Sequence, residues 1–179
     1  GRNGAQFTGV GADDRAGRSV SSVGDVNGDG MEDFAIGGRG PNGGLYGITY
    51  VVFGKGRAFS AEVDLADLNG RNGFVLKGDY PDSAGASIAG AGDVNGDGIN
   101  DLVIGAPFHN LPFVSGAGAA YVVFGGSQFR AAVDLSELDG QDGFRLRGTL
   151  GGDRIGESVA SAGDVNGDGF DDVIVGAFA

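Results

Sequence analysis

Residues 48–53 (Ile-Thr-Tyr-Val-Val-Phe) and 119–124 (Ala-Ala-Tyr-Val-Val-Phe) are rich in β-branched and aromatic residues, the composition of a strand. Three shorter apolar runs lie at 34–36, 102–104 and 173–175, each followed by Gly. Runs of this kind fit strands buried on both faces. Residues 73–77 and 143–147 alternate instead, with Phe74 and Leu76 against Val75 and Lys77, and Phe144 and Leu146 against Arg145 and Arg147. A fourth set, 19–23, 87–91 and 158–162, is built from small residues with Val20, Ile88 and Val159 at the matching place. The pattern therefore predicts four short strands per unit, the content of one β-propeller blade. The stretches 60–68 and 131–138 fit one helical turn or a loop equally well.

The same pattern returns along the chain. Gly-Asp-Val-Asn-Gly-Asp-Gly occurs at 24–30, 92–98 and 163–169, and its first Asp (Asp25, Asp93, Asp164) recurs after 68 and 71 residues. Tyr-Val-Val-Phe-Gly at 50–54 and 121–125 and Val-Asp-Leu at 63–65 and 133–135 keep the same phase. A period of about 70 residues spans the chain and predicts one repeat architecture. Divided by that period, it gives units at 1–69, 70–139 and a shortened 140–179. The predicted fold is all-β: propeller blades of four-stranded antiparallel sheets in a partial ring of about two and a half blades. An outer-strand-like segment at 5–8 opens the chain, which stops after the second strand of the third unit. A closed propeller takes about 4–8 blades, so exposed edges are expected to be completed by further copies or by a longer parent protein.

Each repeated motif continues as Asp-x-Asn-x-Asp-Gly-x-x-Asp. Oxygen-bearing side chains stand at positions 1, 3, 5 and 9: Asp25, Asn27, Asp29 and Asp33; Asp93, Asn95, Asp97 and Asp101; Asp164, Asn166, Asp168 and Asp172. Position 7 (Met31, Ile99, Phe170) is apolar and varied, as expected where only a backbone carbonyl is used. Hard oxygen donors with no His or Cys point to Ca²⁺ rather than zinc or copper, and Mg²⁺ is the weaker candidate because it keeps several waters. Three carboxylates on one short loop repel each other, and a divalent ion removes that repulsion. An ion-free acidic Asn-Gly/Asp-Gly turn would explain positions 3 to 6, but not Asp at both 1 and 9 three times over. An EF-hand needs an acidic residue at position 12 and flanking helices, whereas position 12 here is Ile36, Ile104 and Val175 in strand-like runs. A dockerin-like loop fails on the same point, and the nonapeptide β-roll is excluded by the long period.

Composition narrows the partners. The 179 residues carry a formal net charge of −12, which disfavours nucleic acid and anionic membrane and favours cations. Three Ca²⁺ per chain would halve that charge. No apolar run approaches the roughly 20 residues that span a bilayer. With 39 Gly, many tight turns are expected, and the absence of Cys fits a bacterial secreted or surface protein. The chain, which opens at Gly1, reads as a processed product or an excised piece.

These loops, their flanking strands and their period resemble FG-GAP repeats, found in the β-propeller head of integrin α-subunits and related bacterial surface proteins. Gly105-Ala106-Pro107 is an intact copy of the GAP element. Gly37-Gly38-Arg39 and Gly176-Ala177-Phe178 depart from it, and the FG element becomes Ala16-Gly17, Ala84-Gly85 and Ile155-Gly156. The resemblance implies calcium in hairpin loops on one side of a propeller, protein or carbohydrate ligand contacts on the other, and an extracellular or cell-surface setting. It makes an adhesion-type role without catalysis the first reading. The second is an accessory propeller of an extracellular enzyme such as a hydrolase or lyase. No Gly-x-Ser-x-Gly elbow, Cys or Arg-Gly-Asp tripeptide is present, and the one histidine, His109, is expected to be a solvated or structural loop residue. The apolar loop 108–114 (Phe-His-Asn-Leu-Pro-Phe-Val) is expected to pack on the next blade rather than meet a ligand. Arg145, Arg147 and Arg154 are expected on a solvated face.

Overall fold

Thirteen strands account for the regular structure of a computed structural model that describes residues 4–40 and 44–178, with Leu45 described by its backbone alone. They are β1 (Gln6–Thr8), β2 (Ser19–Gly24), β3 (Asp33–Gly40), β4 (Gly44–Val52), β5 (Glu62–Asp64), β6 (Gly73–Lys77), β7 (Ser87–Gly92), β8 (Asp101–Ala106), β9 (Ala119–Val123), β10 (Ala132–Asp134), β11 (Gly143–Arg147), β12 (Ser158–Gly163) and β13 (Asp172–Gly176). Two single 3₁₀ turns, Leu65–Asp67 and Leu135–Glu137, follow β5 and β10, and no α-helix occurs among the described residues. No helix of the described residues is long and apolar enough to cross a membrane.

The strands form blades. The order β6-β4-β3-β2 is antiparallel throughout, β11-β9-β8-β7 repeats it, and β12-β13 supplies the first two strands of a third copy. The first sheet runs from Ser19 to Lys77, so it takes its fourth strand from the start of the next sequence unit. The two undecided stretches hold the helical turn and, in place of a loop, a short strand that the pattern did not predict. In each a three-residue strand leads into a 3₁₀ turn, whose second residue, Ala66 or Ser136, donates its N–H to the Asp64 or Asp134 carboxylate. These short strands lace the blades together. β10, from the second unit, lies parallel on β6 as a fifth strand of the first sheet, and β5 pairs in the same way with β1.

Alternation along the inner strands explains why both faces of each sheet are apolar. On β4, Val51 points to one side and Tyr50 and Val52 to the other. On β8, Leu102 and Ile104 point back to the first sheet and Val103 forward to the third. The main cluster therefore sits between blades, where Val51, Phe74 and Leu76 meet Leu102, Ile104, Tyr121 and Val123. Phe129, on the connection after β9, closes it by stacking on Phe74 at 4.1 Å. A second layer joins Val103 and Val122 to Val159 and Val173.

Candidate metal centres

Every acidic loop joins the first and second strands of a blade: β2 to β3, β7 to β8 and β12 to β13. A register shift sits at the end of each first strand, between Ser22 and Gly24, Gly90 and Gly92, and Ser161 and Gly163. Such a bulge turns the chain just before position 1 and re-aims that aspartate. Positions 4 and 6 hold glycines with φ between +72° and +93° (Gly28, Gly30, Gly96, Gly98, Gly167, Gly169), a backbone that side chains disfavour.

Within each loop the oxygens of positions 1 and 3 converge on one amide. Asp29 N–H donates to Asp25 Oδ1 at 3.0 Å and to Asn27 Oδ1 at 2.8 Å. The same pair of bonds links Asp97 N to Asp93 and Asn95, and Asp168 N to Asp164 and Asn166. The second oxygen of position 1 accepts from the position-6 glycine at 2.7–2.9 Å in all three loops. These donors hold the Asp164 carboxyl below the usual range, Gly169 N–H most strongly. Position 5 accepts from the N–H of position 7, at Met31, Ile99 and Phe170.

Position 9 lies deeper. Asp33 is 1% exposed and Asp101 0%, and each carboxylate accepts from two backbone amides: Val26 and Gly54 for Asp33, Val94 and Gly125 for Asp101. Asp172, with no further blade beside it among the described residues, is only half-buried and accepts from Val165 N at 3.0 Å. Burial pushes the pKa of both Asp33 and Asp101 from 3.8 up to about 6, and repulsion from Asp29 and Asp25, or Asp97 and Asp93, adds to it. Among the described residues the one acid–base side-chain contact joins His109 to Asp82, so no cationic side chain pairs with these carboxylates.

Among the described residues no three acidic or histidine side chains gather into a metal-holding cluster, because the carboxylates turn onto amides of their own loops. The donor set still fits a hard cation. It is all oxygen, positions 1 and 3 already face one point, and position 9 is a buried carboxylate at Asp33 and Asp101, with no positive partner among the described residues. The residues that could hold an ion are Asp25, Asn27, Asp29 and Asp33 in the first loop, and their counterparts Asp93, Asn95, Asp97 and Asp101, and Asp164, Asn166, Asp168 and Asp172. Met31, Ile99 and Phe170 would each add a backbone carbonyl.

Away from the loops, His109 is buried. Its Nδ1 meets Asp82 Oδ1, while Tyr121 Oη donates to Asp82 Oδ2 at 2.6 Å. This network ties the β8–β9 loop to the connection between blades. The sequence hides it, because its members are 27 and 39 residues apart. The β8–β9 loop corrects one expectation. Gly152 N–H bonds the carbonyls of Ser115 and Gly116 and so ties the loop to the third blade, yet Phe113 points fully into solvent at a φ of +66°. Its counterpart in the first unit, 39–45, includes 41–43, which lie outside the described residues. Arg147 and Arg154 are exposed as expected, Arg154 lying over the Phe108 ring, whereas Arg145 is half-buried over the Tyr121 ring.

Sheets of four antiparallel strands, stacked face to face with one oxygen-rich loop per blade, define a β-propeller-type repeat protein. The chain contains FG-GAP repeats, and the FG-GAP repeat model matches residues 84–123 and 156–177. It is similar to integrin alpha-PS5 of Drosophila melanogaster, at 31% identity over 158 residues that make up 86% of this chain and 14% of that protein. Integrin alpha-PS2 of the same organism is 35% identical over 159 residues, 87% of this chain and 10% of the relative. Phosphatidylinositol-glycan-specific phospholipase D of Bos taurus is 30% identical over 167 residues, 91% of this chain and 18% of that protein. The chain thus spans between a tenth and a fifth of the length of these relatives.

Proposed function

We propose that this chain is a calcium-binding FG-GAP segment of a secreted or cell-surface protein of the adhesion or ligand-binding type, with one structural Ca²⁺ in each of its three loops. The observation that carries the reading is a buried position-9 carboxylate without a cation, at Asp33 and Asp101, behind the same oxygen spacing in all three loops. An ion there would neutralise the repulsion among positions 1, 5 and 9 and fix the turn from the first to the second strand of each blade. The bound metal supplies charge and coordination only, and a protein or carbohydrate ligand would meet other loops of the blades.

The similarity to integrin α-subunits supports the adhesion reading. The similarity to a phospholipase D keeps a second reading in view, a propeller that accompanies an extracellular enzyme. In either setting the segment belongs to a larger propeller or a ring of copies, and it is not itself the catalyst.

Thermal melts with and without calcium test the reading. At a hundredfold excess over Kd each ion contributes about 2.7 kcal/mol. Calcium is expected to raise Tm clearly and magnesium much less. An identical Tm in calcium and in chelator removes the reading.

A further inference from the structure

Consecutive acidic loops are bonded to one another, through a residue that is not among the proposed ligands. Position 8 of the second loop is Asn100. Its Oδ1 accepts from Asp25 N at 3.0 Å, and its own N–H donates to the Asp25 carbonyl at 3.2 Å. Position 8 of the third loop is Asp171. Its Oδ2 accepts from Asp93 N at 2.8 Å, and its N–H donates to the Asp93 carbonyl at 3.0 Å. Each pair of bonds therefore clamps the backbone of the residue at position 1 of the preceding loop. The glycine before that residue makes room for the clamp, since a Cβ on Gly24 or Gly92 would overlap Asn100 or Asp171.

The neighbouring position reinforces the clamp. The Ile99 side chain lies over Gly28 of the first loop, and the Phe170 ring lies over Gly96 of the second. Gly126 N–H, from the second blade, reaches the Val26 carbonyl of the first loop at 2.9 Å. Ile99 and Phe170 are the residues whose carbonyls would face an ion in their own loops. Residues 99–100 and 170–171 therefore lie between one loop's ion and the next loop's first ligand.

We infer that Asn100 and Asp171 are positioning residues that couple calcium binding in adjacent loops, so that an ion in one loop raises the affinity of the loop before it. The inference rests on the calcium reading above. An ion that fixes residues 97–101 also fixes Asn100 on Asp25, and the first loop then loses less freedom when it binds. By linkage the coupling is reciprocal.

The test follows each loop of the 179-residue chain separately during a Ca²⁺ titration, through the NMR amide signals of Gly30, Gly98 and Gly169. Asp97→Ala removes the second ion and should weaken calcium at Gly30 about fivefold or more. Asp29→Ala should weaken calcium at Gly98 by the same factor. Asn100→Ala should weaken the first loop while the second still binds, and Asp97→Ala added to it should then have little further effect at Gly30. Asn100→Asp, which reproduces the oxygen that Asp171 offers, should keep the coupling, a rescue that loss of fold would not give. An unchanged midpoint at Gly30 in Asp97→Ala overturns the coupling and leaves calcium binding intact. No calcium-dependent shift at any of the three glycines in the unmodified chain overturns the calcium reading and the coupling with it.

Discussion

Asp33 and Asp101 should make the protein respond to pH in opposite directions with and without calcium. Each carboxyl is raised from 3.8 to about 6, chiefly by burial. In the calcium-free protein the folded state therefore holds these protons more tightly than the unfolded chain does. The stabilisation from the protonated form is complete only below the unfolded value of 3.8, and it is lost as pH rises through 6. At 1.36 kcal/mol per pH unit the loss is roughly 3 kcal/mol for each group, an order-of-magnitude figure. For a chain of this size 1 kcal/mol moves Tm by about 2–4 °C, so the calcium-free Tm should drop on the order of 10 °C between pH 4 and pH 6.5. With saturating calcium the sign reverses, because protons and the ion compete for the same oxygens and affinity grows as the carboxylates ionise. Differential scanning calorimetry across that window, in chelator and in calcium, reads both slopes. The Asp33→Asn/Asp101→Asn double variant separates these two groups from the general repulsion of a net charge of −12. A calcium-free Tm that stays flat or climbs from pH 4 to 6.5, or a slope that the double variant leaves intact, would refute the reasoning.

Four further outcomes follow from the packing. Phe74→Ala should cost about 3–5 kcal/mol in chemical denaturation, because it empties the centre of the first interblade layer, whereas Phe113→Ala should change stability by less than about 0.5 kcal/mol. Tyr121→Phe should destabilise by about 1–3 kcal/mol, since it strips the hydroxyl donor from the buried Asp82 carboxylate. Tyr50→Phe, at the matching place of the first blade, should be neutral or slightly stabilising in the same urea melts, because the buried Tyr50 hydroxyl has no hydrogen-bond partner among the described residues.

Much of this architecture is legible in the sequence because it is written locally and three times. The strands at 73–77 and 143–147 follow from Phe-x-Leu alternation, and the loops follow from the spacing of Asp and Asn around obligatory glycines. The parallel strands β5 and β10 were hidden, because three residues such as Glu62-Val63-Asp64 carry no period and their partners lie in the preceding blade. The Asp82–His109–Tyr121 network is hidden because its members stand far apart in the sequence. Phe113 departs from its expected packing because a left-handed turn holds it outward, which an apolar residue at a loop tip does not reveal in the sequence. The clamp at position 8 had a readable trace: Glu32, Asn100 and Asp171 all bear side-chain oxygens at a place where a ligand-only view of the loop needs none.

The most direct measurement is a crystal structure of the chain grown in excess calcium. It should show one ion in each loop, held by side-chain oxygens of positions 1, 3, 5 and 9 and the carbonyl of position 7 at about 2.3–2.6 Å. Loops that keep the amide-bonded geometry, with no ion density beside Asp33 or Asp101, would contradict the account.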